Sequence, residues 1–165
     1  MRAMKACASA LAALILAMPS AAVYAAGTNA LTASAFVAGQ CKVTSPPATL
    51  NFGTIDPSGA ANVTATTSFS MMCTKGTISN AASDNGGSNF SGTKRMKHSA
   101  TPTAFLAYAV AYGGDAGFTG QGFGVAAVAH TVTVTGTVTP AQFQNALVTK
   151  AGQQYSDTVT ITVSP

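Results

Sequence analysis

The chain has no glutamate and no tryptophan, only four acidic residues, and two histidines, His98 and His130. Acid–base catalysis needs positioned titratable groups, but Asp56, Asp84, Asp115 and Asp157 all fall in loops or beside turns, and Asp157 is expected to order the start of a strand. No cysteine or second histidine stands at ligand or relay spacing from His98 or His130, so neither a metal site nor a catalytic triad is expected. The reading is of a protein that is not an enzyme and uses no cofactor or metal. Glycines recur from Gly117 to Gly124, but no Lys-Ser/Thr pair follows, so a flexible loop is expected there and not a phosphate cradle. Asp84 to Asn89 brings oxygen-bearing side chains together without the closing acidic residue of a calcium loop, and reads as a turn. Lys94, Arg95 and Lys97 sit in a basic stretch, Lys94 to His98, that is expected to be a solvated loop.

What the chain does have begins at its first residues. Arg2 and Lys5 precede an apolar stretch from Ala6 to Met18, followed by Pro19 and small residues up to Ala26. This is the grammar of a secretory signal peptide, residues 1–25, cut after Ala25 or one to two residues later. The apolar run falls short of the roughly 20 residues that span a bilayer, which argues against an anchor and against stable membrane insertion. Cleavage would remove Cys7 and leave Cys41 and Cys73 as an even pair in an oxidising compartment, where one disulfide is the default. Closing a loop of about 30 residues removes denatured-state entropy worth on the order of 3–4 kcal/mol. The remaining charge is only mildly basic, and calls for no nucleic acid or other polyanion.

After residue 25 the pattern has period two, and threonine, valine, alanine and glycine dominate, which predicts an all-β fold. Strands are expected over Val63 to Cys73, with Cys73 inward, over Phe105 to Tyr112, with room for cover on both faces, over Thr131 to Val138, and over Tyr155 to Val163. The outer faces of the last two are nearly all threonine, as in a sandwich whose sheets each keep one side in water. Loops are expected at Ser45 to Ala48, Asp56 to Ala60, Ser83 to Ser91 and Gly113 to Gly124. Counting back from Cys41, Leu31, Ala33, Ala35 and Val37 share one strand face, and Ala30, Thr32, Ser34 and Phe36 the other. Such a strand can pair inside its own domain or be offered to another subunit, where main-chain bonds give affinity and alternate side chains enter pockets.

Several short motifs, in order and spacing, resemble the spore coat protein U family, whose members include subunits of the archaic class of chaperone-usher pili. They are Cys41-Lys42-Val43, Leu50-Asn51-Phe52-Gly53-Thr54-Ile55, Met72 to Thr77, Lys94-Arg95-Met96, Leu106 to Tyr112, Gly136 to Gln142 and Tyr155 to Val163. The resemblance implies an immunoglobulin-like β-sandwich, residues 41–165, that lacks its last strand and is completed by the N-terminal extension, residues 26–40, of a neighbouring subunit. Leu31, Ala33, Ala35 and Val37 match the donor-strand positions. It further implies a fibre at the cell surface, reached through the periplasm, with other copies or related pilus subunits, a periplasmic chaperone and an outer-membrane usher as partners, serving adhesion or biofilm formation. The alternative expectation is a monomeric secreted or coat-associated binding module.

Overall fold

From Val63 to Cys73 apolar side chains alternate with hydroxyl-bearing ones, broken only at Thr67 and Met72, and that alternation becomes the longest strand of the domain. The computed structural model describes residues 29–165, and the expected signal peptide, with Cys7, lies outside the described residues. Residues 29–35 and 36–165 belong to separate units and are described separately. In the second unit the strands are β1 (Cys41–Ser45), β2 (Val63–Cys73), β3 (Ser83–Asp84), β4 (Lys94–His98), β5 (Phe105–Gly113), β6 (His130–Val138), β7 (Tyr155–Ser156) and β8 (Ile161–Thr162), with one helical turn, α1 (Pro140–Phe143). The fold is all-β and sandwich-like, as its alternation predicts. Six strands form an antiparallel sheet in the order β1-β2-β6-β5-β4-β7, and β3 pairs with β8 in a second, short sheet.

Inward faces of the central strands make the core. Phe69 and Met71 of β2 pack with Val132 and Val134 of β6, and Leu106 and Tyr108 of β5 pack with Val138 and Phe143. Burying such side chains contributes roughly 1.5–3 kcal/mol each, the main source of stability for a domain this size. The register gives the sheet two ends. Cys41 faces Cys73 and Met71 faces His130 at one end, called here the root end because the N-terminal extension joins β1 there. Val63 faces Val138 and Lys97 faces Phe105 at the other, the far end. Cys41 and Cys73 are disulfide-bonded, tying edge strand β1 to β2.

Four expectations are corrected. Lys94–His98 is a strand and not a loop, because Met96 and His98 turn inward while Lys97 stays out. The stretch from Tyr155 to Val163 is not one strand: Ser156 pairs with Lys97 of β4, and Ile161 with Asp84 of β3, so the chain changes partner midway. β5 is not covered on both faces along its length, and Ala109 is exposed. Ser83 and Asp84 pair as a short strand inside an expected loop.

A candidate docking groove

Leu50-Asn51-Phe52-Gly53-Thr54-Ile55 is extended in residue type, yet no strand is assigned between Pro46 and Asn62. It runs over the main sheet because β6 leaves it room at one position. A Cβ on Gly136 would stand 2.6 Å from Leu50 Cδ2 and 2.7 Å from Phe52 Cζ, so both side chains lie directly on the glycine. Gly136→Val is therefore expected to lift this segment and cost about 1–3 kcal/mol of stability, read as a lower urea midpoint.

Facing that segment across an open cleft of about 880 Å³ is the stretch from Tyr155 to Ile161. The floor between them is the inward face of β5, with Leu106, Tyr108, Val110 and Tyr112, together with Met96 and Phe143. The main-chain direction of the second wall follows from its partners. Thr158 and Thr160 accept hydrogen bonds from the amides of Ser88 (2.9 Å) and Asn85 (3.1 Å), and Ser164 accepts one from Asn80 (3.0 Å). Strand geometry then turns the amides and carbonyls of Val159 and Ile161 the other way, toward the cleft. The first wall is equally unpaired. Gly53 donates to the Asn51 side chain (2.9 Å) and Ala48 accepts from the Thr67 hydroxyl (3.2 Å), which are local contacts and not a strand ladder. The arrangement is a slot with an apolar floor and one free strand edge, and chemically it can hold an extended peptide by main-chain bonding.

One tyrosine–aspartate pair holds the second wall directly, and another holds β3, the strand that pairs with it. Tyr108 donates to Asp157 (2.8 Å), which also accepts from the amide (3.2 Å) and side chain (3.0 Å) of Asn89. Tyr112 donates to Asp84 (2.6 Å), and Lys94 bridges the same carboxylate at 3.0 Å. Burial first, and then the hydrogen bond and charge of the facing aspartate, push both tyrosine hydroxyls well above their ordinary value, so they remain donors. For Asp84, burial opposes ionisation but is outweighed by the hydrogen bonds from Tyr112, Lys94 and the Gly86 amide and by the Lys94 charge, leaving its pKa below 3.8. Since the folded pKa is depressed, the stability this gives is complete above the unfolded value near 3.8 and is lost as pH falls through the lower folded value. Urea midpoints taken from about pH 5 down to about pH 2.5 should fall for the wild type and fall less for Asp84→Asn.

The remaining candidate residues have structural surroundings. His98 is buried; its Nδ1 accepts the amides of Ala100 (3.1 Å) and Thr101 (3.0 Å), and its ring meets Tyr155 edge-on at 5.0 Å. His130 begins β6 and stacks on Phe118 at 4.3 Å. Arg95 bonds the Asn89 carbonyl (3.0 Å) and lies over Phe105, so the basic stretch is partly engaged by its own fold. In the segment Asp84 to Asn89, expected as a turn, Asp84 is held by Tyr112 and Lys94. Among the described residues, no three histidine, cysteine or acidic side chains are grouped to hold a metal, and no helix is long and apolar enough to cross a membrane.

The proposed donor residues lie outside any strand. None is assigned between Asn29 and Gln40, and Leu31, Ala33, Ala35 and Val37 are all exposed, Leu31 at 94% and Val37 at 76%. What residue patterns missed was the cleft itself. Its one legible signal was Gly136, a glycine in the middle of a strand, which marks a close approach by other groups. No curated protein matches this sequence. The Spore Coat Protein U domain matches residues 27–162, nearly all of the chain beyond the expected signal peptide, and the protein belongs to that family.

Proposed function

We propose that the protein is a structural subunit of a secreted surface fibre of the archaic chaperone-usher type, polymerising by donor-strand exchange. The observation that carries this reading is the open slot between residues 47–55 and 155–161, with an apolar floor and the free edge of Val159 and Ile161. Residues Leu31 to Val37, extended at about 3.3 Å per residue, reach roughly 23 Å, and the wall they would line, Tyr155 to Ile161, has the same number of residues. Leu31 and Val37 contribute about 1.5–3 kcal/mol each on burial, while Ala33 and Ala35 contribute less and fit beneath bulky floor residues such as Tyr108. Residues 1–25 act as the signal for export through the periplasm, and residues 26–40 as the extension. A periplasmic chaperone covers the slot before assembly, and an outer-membrane usher exports the polymer, which supports adhesion or biofilm formation. No catalytic role is assigned.

A peptide of residues 26–40 tests the reading in solution. Added in excess to the purified full-length chain, it should occupy the slot and stop growth of the polymer, whereas the same peptide with Ala35→Asp should leave growth unchanged. Equal effects of the two peptides would refute occupation of the slot by this face, and a chain that forms no polymer at all would point to the monomeric binding module instead.

A further inference from the structure

The large apolar side chains left exposed in the second unit are unevenly placed. At the root end stand Ile78, Phe123, Val125 and Val128, on the turns and glycine-rich loop that follow β2 and β5. At the far end stand Leu147 and Val148, in the loop after α1 and on the lining of the cleft described above, where Tyr155 donates to the Leu147 carbonyl (2.9 Å). Apart from Phe36 and Val37 on the extension, Phe90 is the other such side chain among the described residues of this unit. Apolar surface gathered at two opposite ends, and sparse along the sides, suits contact between ends.

Chain length makes that contact obligatory once the extension docks. Only Ala38, Gly39 and Gln40 separate Val37 from β1, and three residues reach at most about 10 Å. Even this short linker is held to its own domain. Gln40 donates to the Thr74 hydroxyl (3.0 Å) and accepts from the Thr74 amide (2.8 Å), the Thr74 hydroxyl also donates to the Ala38 carbonyl (3.3 Å), and a Cβ on Gly39 would stand 3.1 Å from Thr77. A copy whose Val37 sits at one end of a neighbour's slot must therefore press its root end against that neighbour. Direction follows from repetition. Each acceptor sends its own extension out from its root end, so the incoming one must finish at the far end, giving a head-to-tail contact that repeats without closing.

Resting on the donor-strand reading above, we infer that a second copy of this chain is the partner of both apolar ends: the face with Ile78, Phe123, Val125 and Val128 of one copy seats on the Leu147–Val148 face of the next. The joint is then a packed contact and not a free hinge. Val125 and Val148 are both exposed, and the pair Val125→Cys with Val148→Cys in one chain tests the seating. Assembled fibres treated with a short bifunctional thiol cross-linker should give a covalent ladder after boiling in SDS, at least about tenfold above either single substitution, as expected for groups held in contact. A second pair, Val128→Cys with Lys150→Cys, guards against a local failure at the first. Fibres that form normally but give no ladder above the single substitutions from either pair overturn the end-to-end seating. If the unsubstituted chain forms no fibre at all, the donor-strand reading fails and this inference falls with it.

Discussion

Leu31→Asp is expected to reduce fibre yield at least about tenfold while leaving the domain folded and exported. Its physical basis is the cost of carrying a carboxylate into an apolar slot, which amounts to several kcal/mol unless the group is neutralised or paired. The floor that would meet it consists of Leu106, Val110, Met96, Phe143 and two tyrosines, Tyr108 and Tyr112, whose hydroxyls already donate to Asp157 and Asp84. Lys94, the cation of this polar layer, is already bridged to Asp84 and is not free to pair with a new charge. Because Leu31 lies outside the folded core and is almost fully exposed, the change should not unfold its own domain. Thr32→Asp, on the opposite face of the extension, serves as the control and should retain fibres. The readout is protein sheared from the cell surface, normalised to the periplasmic pool. Wild-type yield from Leu31→Asp would refute the assignment of that face.

The second large effect concerns the bridge between β1 and β2. Replacing Cys41 and Cys73 together by serine should lower the stability of the domain by about 3–4 kcal/mol, from a closed loop with a sequence separation of 32. Against a typical total of about 5–15 kcal/mol, that is a large share. There is also a local consequence. β1 is an edge strand paired only with β2 among the described residues, and Cys41 is the first residue after Gln40, so the bond fixes the point at which residues 36–40 join the domain. Fibres of the serine variant should accordingly dissociate at lower denaturant concentration than wild-type fibres, beyond what a weaker donor contact alone would give. An unchanged urea midpoint, measured on the oxidised and reduced wild type and on the variant, would show that the bond adds nothing to the fold.

Much of the architecture could be read from residue patterns, and the reasons are local. The strands Val63–Cys73 and His130–Val138 alternate because one face is core and the other water, and the even side chains of β5 declare its buried face in the same way. The pairing of Cys41 with Cys73 followed from parity and compartment. Where residue patterns failed, the deciding contact was remote in sequence. Lys94–His98 looked like a basic loop because its cations dominate the composition, yet a strand is compatible with them once Lys94 bridges Asp84 and Arg95 lies over Phe105. The regular run from Tyr155 to Val163 concealed a change of partner centred on Asp157, whose bonds to Tyr108 and Asn89 draw it out of the ladder. The helical turn at Pro140–Phe143 was not expected; it is capped by Thr139, with proline at the first helical position and Gln142 accepting the Thr139 amide at 2.7 Å. As for the candidate site, periodicity could mark the face of the extension but not the slot, because an unfilled space between two strands leaves no pattern in either of them.

Polymerisation by donor-strand exchange requires that residues 26–37 of one copy occupy the slot of another. The most direct measurement is an SDS gel, run without boiling, of the purified protein beside the same protein lacking residues 26–37. A ladder of SDS-resistant multiples is expected for the full chain, collapsing to monomer on boiling, and monomer alone for the shortened one. A full chain that stays monomeric, or a shortened chain that still forms the ladder, would contradict donor-strand exchange.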